Sequence, residues 1–295
     1  MSQAFELSEG LAAAVQKNAA SVVRVEGRRG SGGSGVAWSD AVVLTASHVV
    51  EWDEGIEIGL ADGRTLPATL AGRDPATDIA ALRVETSDLR PVAWAEDAAL
   101  KVGQLVLGIS RPGQSARARL GVVNALADSW RSPTGARLER YIESDIALHP
   151  GFSGSLLVEV DGRALGLNSS GLLRRSSLAI DARTLRRVAT ALLTHGGVRR
   201  GYLGIGTHPV PLASEKQGAG LILLSVQPDS PAAKAGLLLG DVLLAIDGQP
   251  TASPADLLPF LEEEKIGQPL QLGLLRAGEK RSATLTPGAR AGRAA

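Results

Sequence analysis

The chain has 295 residues, of which 44% are hydrophobic and only 3% aromatic, with 35 glycines against 15 prolines. That length suggests two domains, and the composition suggests short elements joined by tight turns rather than long helices. Basic and acidic residues balance at 31 each, which argues against the broad positive field that nucleic acids or anionic membranes attract; the pairs Arg174–Arg175 and Arg199–Arg200 are expected on solvated surfaces. Cysteine is absent, excluding disulfides and thiolate metal sites. No apolar run approaches a membrane span. The N-terminus MSQAFELSEGLAAAVQK has no basic stretch leading into an apolar core, so the default location as written is cytoplasmic, or periplasmic or extracellular if a leader has been removed.

From Ser21 to Leu82 the runs SVVRV, GVAW, AVVLTA, GIEIGL and DIAALRV, separated by Gly, Asp and Ser clusters, predict strands. A second series from Gly103 to Ile180 contains QLVLGI, GVVNAL, RYIES, SLLVEV, RALGLN and SLAI, so two β units of similar size stand in tandem. Between Asp181 and His195 the period changes: Leu185, Val188, Leu192 and Leu193 fall at helical spacing, with Asp181 as N-cap and Gly196–Gly197 as stop. A domain boundary is expected near Arg199, dividing residues 1–199 from 200–295. The last segment predicts two strands, a short helix, a strand, a second helix and a hairpin. Ser230–Pro231 opens the first helix, Gly236 ends it, and Ser253–Pro254 opens the second.

Acyl transfer by a serine needs an imidazole to take the hydroxyl proton, a carboxylate to orient that imidazole, and backbone amides aimed at the developing oxyanion. Of four histidines, His48 ends the apolar run from Val42 to Ser47, where a buried strand reaches a loop. His195 sits at the predicted helix end, where positive charge is favoured on structural grounds, and His208 is expected in a proline-flanked loop. Asp78 follows the turn Asp74–Pro75–Ala76–Thr77 and precedes the run from Ile79 to Leu82. Ser153 lies in HPGFSGS, whose glycines let the Gly151 and Ser153 amides converge; position 155 is Ser, so G-x-S-x-G is not matched, and a strand follows.

The order His, Asp, Ser along a double-β chain is the chymotrypsin order. GSGVAW, LTASHVV, DPATDIAALRV, SDIALHPGFSGSLL and GRALGLNSSG, followed by YLGIG and the segments SPAAKAG, GDVLLAIDG and SPADLLPFL, resemble the successive signatures of the HtrA (Deg) serine proteases with a C-terminal PDZ domain. The resemblance runs from Ala20 to Gly288. It implies a mainly β fold, a chymotrypsin-like double β-barrel followed by a smaller α+β PDZ domain. It also implies an ATP-independent endopeptidase for unfolded or damaged proteins, working through His48 as base, Asp78 as its orienter and Ser153 as nucleophile, with Gly151 and Ser153 as oxyanion hole. Asn168, Ser169 and Ser170 match the strand edge that pairs with substrate backbone. Ala147 occupies the place of a specificity-pocket aspartate, which favours small or aliphatic side chains at the cut. Tyr202, Leu203, Gly204 and Ile205 match the loop that receives peptide C-termini, with Leu257, Leu258 and Leu261 as candidates for the pocket wall. No cofactor or metal is expected, and trimers through Phe5, Leu7, Leu11 and Val15 are implied by the family alone.

The chain departs from the family pattern GNSGGPL at Phe152, Ser155 and Leu156. Phe152 is a candidate to shield or distort the oxyanion hole, and Ser155 to narrow the leaving-group side. These departures keep open a second reading, a catalytically weak chaperone or peptide-binding adaptor on a protease fold.

Overall fold

The structure, a computed structural model, describes residues 2–30, 32–96, 99–173, 176–212 and 218–290. Arg174 and Arg175 lie outside the described residues. The chain divides into two compact units, Met1–Gly197 and Val198–Ala295.

The first unit opens with α1 (Gln3–Ala19), capped by the Ser2 hydroxyl on the Phe5 amide; no helix was expected there. Its alanine-rich C-terminal half docks through Ala14 and Asn18, whose amide donates to the Gly162 carbonyl at 2.9 Å, while Phe5 and Leu7 remain exposed. Six strands then close a barrel: β1 (Val22–Glu26), β2 (Gly33–Ala37), β3 (Val42–Ala46), β4 (Ile56–Gly59), β5 (Thr65–Asp74) and β6 (Ile79–Val84), in the order β1-β2-β3-β6-β5-β4. All residues of β2 and β3 are buried, which is why their sequences read as apolar or small runs rather than alternating ones.

The second barrel contains β7 (Leu105–Ser110) and β8 (Arg117–Ala127). The short pair β9 (Trp130–Arg131) and β10 (Arg137–Leu138) stands outside it, and β11 (Tyr141–Ser144), β12 (Leu156–Glu159), β13 (Ala164–Ser169) and β14 (Ser177–Asp181) complete it, ordered β11-β14-β13-β12-β7-β8. Its core is Val106, Val123, Ile142, Ile146, Leu157 and Leu165 with their neighbours. The helix α2 (Ala182–His195) follows as expected: Asp181 accepts from the Arg183 and Thr184 amides, Leu185, Val188 and Leu192 are buried, and Gly196 ends it at φ 71°.

The second unit pairs β15 (Arg200–Tyr202) with β22 (Gly288–Arg290). Around them lie β16 (Ile205–Pro211), β17 (Ala219–Val226), α3 (Pro231–Lys234), β18 (Val242–Ile246), β19 (Gln249–Pro250), β20 (Leu270–Arg276) and β21 (Glu279–Leu285). The main sheet runs β16-β17-β18-β20-β21, with β19 beside β18, so β16 is an edge strand. Ser230 caps α3 as expected. The helix expected after Ser253 is instead a 3₁₀ segment, Pro254–Leu261, because Pro259 inside it lacks an N–H and cannot sustain an α ladder. The buried Asp241 carboxylate is clamped by the Arg276 guanidinium at 2.7 Å on both oxygens, and that bond, ahead of the opposing effect of burial, holds its pKa below the ordinary carboxylate value.

Candidate active site

His48 and Asp78 come together because β3 and β6 are antiparallel neighbours in the register Ala46↔Ile79, so the end of one strand faces the start of the other. The Asp78 backbone is left-handed at φ 56°, a conformation that Asp tolerates better than most residues, and its carbonyl accepts from the Ser47 amide at 3.0 Å. The preceding turn is fixed by Asp74, whose carboxylate accepts from the Thr77 hydroxyl at 2.8 Å. Asp78 is 4% exposed. Its carboxylate lies 2.8 Å from His48 Nδ1 through Oδ2 and accepts the His48 amide at 3.0 Å through Oδ1. A third donor, the Ser169 hydroxyl, closes on Oδ2. With an ionised carboxylate that only accepts, the Nδ1 proton points at Asp78 and Nε2 is left as the basic nitrogen.

Ser153 sits on the turn between β11 and β12, and its hydroxyl is hydrogen-bonded to the Ser170 hydroxyl at 2.9 Å. The neighbouring Gly171 packs directly on the His48–Asp78 pair: a Cβ there would stand 2.7 Å from both His48 Nδ1 and Asp78 Oδ2. Ser170 and Gly171 thus link the Ser153 loop to the imidazole and carboxylate. Among the described residues, neither the Gly151 nor the Ser153 amide is hydrogen-bonded, whereas the amides of Phe152, Gly154 and Ser155 are taken by the carbonyls of His149, Asn168 and Phe152. Two unengaged amides beside one serine hydroxyl are the kind of donors an oxyanion needs.

The departures from the family pattern do not stand in the cleft. Phe152 is 3% exposed and the Arg119 guanidinium lies 5.0 Å above its ring, a cation–π contact that covers it. Ser155 is fully buried and accepts from the Asn168 side-chain amide at 3.0 Å, so its Cβ fills the interior and not the leaving-group side. Leu156 is fully buried in β12.

The three residues expected at a strand edge have different surroundings. Asn168 is buried and its backbone is consumed, its amide by the Ser155 carbonyl and its carbonyl by the Gly154 amide. Ser169 is buried and serves Asp78, and only Ser170 is exposed. Asn168 thus holds the turn that carries Ser153. Ala147 is exposed, and its carbonyl accepts from the His149 amide at 3.0 Å. Sequence reading missed Ser34, which binds the nucleophile loop from the first barrel; its only signal was a serine set between two glycines in GSG.

In the second unit Leu203 is a core residue, and its carbonyl and that of Gly204 accept from the Ala232 and Gln227 amides at 2.9 and 2.8 Å. Tyr202 gives its hydroxyl to Gln227, and Ile205 begins the edge strand β16. Leu257 belongs to the core, Leu261 packs on it, and Leu258 is half-buried, so the expected pocket wall is partly core.

Comparison with known proteins gives two family matches, a trypsin-like peptidase domain over residues 33–167 and a PDZ domain over residues 201–286. A Halomonas elongata protein described as "Probable periplasmic serine endoprotease DegP-like" is 35% identical over 274 residues, 89% of this chain and 57% of that protein. The chain thus spans little more than half the length of such curated relatives. Among solved structures, the HtrA-type protease AlgW with tripeptide is 31% identical with a TM-score of 0.73, covering 95% of this chain and 97% of that one. The serine endoprotease from Yersinia pestis has a TM-score of 0.75 at 28% identity, covering 94% and 97%.

Proposed function

The chain belongs to the HtrA-type serine proteases, and on that premise we propose that it is an ATP-independent serine endopeptidase that cleaves unfolded or damaged proteins through an acyl-enzyme. The observation that carries the proposal is the buried Asp78 carboxylate 2.8 Å from His48 Nδ1, beside a loop that presents Ser153 and two unengaged amides. Ser153 Oγ attacks the scissile carbonyl carbon while His48 Nε2 takes its proton, and Asp78 stabilises the resulting imidazolium. The tetrahedral oxygen is received by the Gly151 and Ser153 amides. As the C–N bond breaks, His48 returns the proton to the departing amine, and water, activated by the same base, releases the acyl group. Ala147 offers no carboxylate to a basic side chain, which favours small or aliphatic residues at the cut. Peptide C-termini dock on the second unit at Tyr202, Leu203, Gly204 and Ile205 and add a strand to β16. Copies associate through the exposed Phe5 and Leu7 of α1. The description of the Halomonas relative supports a periplasmic site of action over the cytoplasmic default.

The test is cleavage of reduced casein without ATP or metal by the native chain and by Ser153→Ala at equal concentration. Fragments from the native chain alone are expected. Equal cleavage by both would remove Ser153 from the mechanism, and silence from both would favour the adaptor reading.

The Ser153–Ser170 bond makes a separate prediction. Either hydroxyl can donate in that bond; with Ser153 as the donor its single proton is on Ser170 and not on the imidazole, and in that arrangement the bond competes with activation of the nucleophile. Ser170→Ala, at an exposed position, is expected to speed fluorophosphonate labelling of Ser153 by about threefold or more, the kinetic counterpart of one modest hydrogen bond. An unchanged or slower labelling rate would show that Ser170 does not restrain Ser153.

A further inference from the structure

Ser34 lies in β2 of the first barrel, fully buried, yet its hydroxyl and its amide both face the Ser153 loop. Its hydroxyl donates to the Gly151 carbonyl at 2.7 Å and accepts from the Arg111 amide at 2.9 Å. Its amide donates to the Ser153 carbonyl at 3.0 Å, and its carbonyl accepts from the Thr45 hydroxyl at 2.7 Å. An amide has only a proton to offer and a carbonyl only lone pairs, so the partners fix the hydroxyl proton of Ser34 on the line to Gly151.

The consequence follows peptide by peptide. The Gly151–Phe152 peptide is gripped at its carbonyl by Ser34 and at its N–H by His149, and the Ser153–Gly154 peptide at its carbonyl by Ser34 and at its N–H by Asn168. Between them, the Phe152 carbonyl is held by the Ser155 amide at 3.0 Å. Among the described residues, the Pro150–Gly151 peptide, which carries the Gly151 amide, has no such grip. Its direction is inherited through Gly151, whose φ of 90° is one of many conformations open to a glycine. Ser34 is the side chain that holds the carbonyl side of that glycine.

We infer that Ser34 is a positioning residue for the oxyanion hole: by anchoring the Gly151 carbonyl it keeps the Gly151 amide aimed where the tetrahedral oxygen forms. Arg111 completes the anchor. Its buried guanidinium donates to the Val22 carbonyl at 2.7 Å and the Ala19 carbonyl at 2.8 Å, tying the Ser34 partner to β1 and the end of α1. This inference rests on the acyl-transfer reading above.

The test compares a peptide aldehyde with the matching peptide alcohol on the full chain. Ser153 Oγ adds to the aldehyde carbon and its proton passes to the imidazole or the new oxygen, giving a hemiacetal with no leaving group; its oxygen occupies the oxyanion position, which the alcohol does not require. Ser34→Ala is expected to weaken the aldehyde by about tenfold, less than deletion of an oxyanion donor. It should change alcohol affinity by no more than about twofold, with the loss appearing in kcat and not KM. Thr45→Val, which removes a bond of the same length to the same residue, controls for general loosening and is expected to leave the aldehyde-to-alcohol ratio at the native value. Should Ser34→Ala fail to fold, Ser34→Cys, a weaker donor of similar shape, is read by the same ratio. An unchanged ratio in the Ser34 variant, or an equal drop in Thr45→Val, overturns the inference. A native chain that binds aldehyde no better than alcohol, and is unaffected by Ser153→Ala, overturns the acyl-transfer reading itself and the inference with it.

Discussion

An Asp78→Asn variant is expected to keep its fold and its peptide affinity and to lose about four orders of magnitude in kcat. The Asp78 carboxylate receives only donors: the imidazole Nδ1, the His48 amide and the Ser169 hydroxyl. A carboxamide of the same shape has one accepting oxygen and one donating nitrogen. If the oxygen keeps the His48 amide, the NH₂ faces Nδ1, which must then become the acceptor. The proton moves to Nε2, and the nitrogen that should take the Ser153 proton already carries one. Ser169 adapts by rotating its hydroxyl, so the packing cost is small. Asn also accepts the left-handed backbone of position 78 about as readily as Asp, which makes it a cleaner substitution than Ala. Steady-state kinetics on a casein-derived peptide, with a melting curve beside it, check the expectation. A loss confined to KM, or one under about tenfold in kcat, would mean that the His48–Asp78 bond is not what sets the base.

The fold class was legible in the sequence because two properties were local. Fully buried strands such as those at 42–46 and 164–169 read as continuous apolar or small runs. The helix at Ala182–His195 carries its own start and stop in Asp181 and Gly196. What was not legible depends on distant partners. The helix Gln3–Ala19 carries many apolar residues but few that mark a buried face, since only Ala14 and Asn18 are buried, and its seat is the turn at Gly162. The strand Thr65–Asp74 is broken in pattern by Pro67 and by a register shift at Gly72, where the close approach of Gly196 leaves no room for a side chain.

The site divides in the same way. The order of motifs singled out His48, Asp78 and Ser153, but it could not tell which serine of Asn168–Ser169–Ser170 serves the carboxylate and which reaches the nucleophile. Ser169, the last residue of its strand, is buried against Asp78, whereas Ser170 lies just past the strand end and is exposed beside Ser153. The substitutions Phe152 and Ser155 looked like threats to the cleft because sequence gives composition without direction. In three dimensions the ring turns under Arg119 and the hydroxyl meets Asn168. Ser34 escaped notice for a related reason: more than a hundred residues separate it from Gly151, and a serine between two glycines in a strand carries no sign of its partner.

Gly154→Ala is expected to be the most destabilising single-methyl change in the first unit, lowering its stability by about 4 kcal/mol, the sum of left-handed backbone strain and forced overpacking. The glycine adopts φ 80°, and a Cβ built on it would stand 1.9 Å from the Ser34 carbonyl and 2.7 Å from the Thr45 hydroxyl. Neither neighbour is a flexible tip. The Ser34 carbonyl belongs to a fully buried strand and accepts the Thr45 hydroxyl, so making room would break that bond and push β2 away from the nucleophile loop. Gly63→Ala separates the two contributions. Gly63 has φ 91° with nothing within 4 Å of a new Cβ, so it reads backbone strain alone, expected at about 1 kcal/mol. Against a typical total of about 5–15 kcal/mol, the Gly154 variant should show a large drop in its urea midpoint or fail to accumulate folded, while Gly63→Ala moves the midpoint slightly. Equal shifts in the two variants would mean that the nucleophile turn yields to the methyl, and that contact between β2 and the loop is softer than the Ser34 anchor requires.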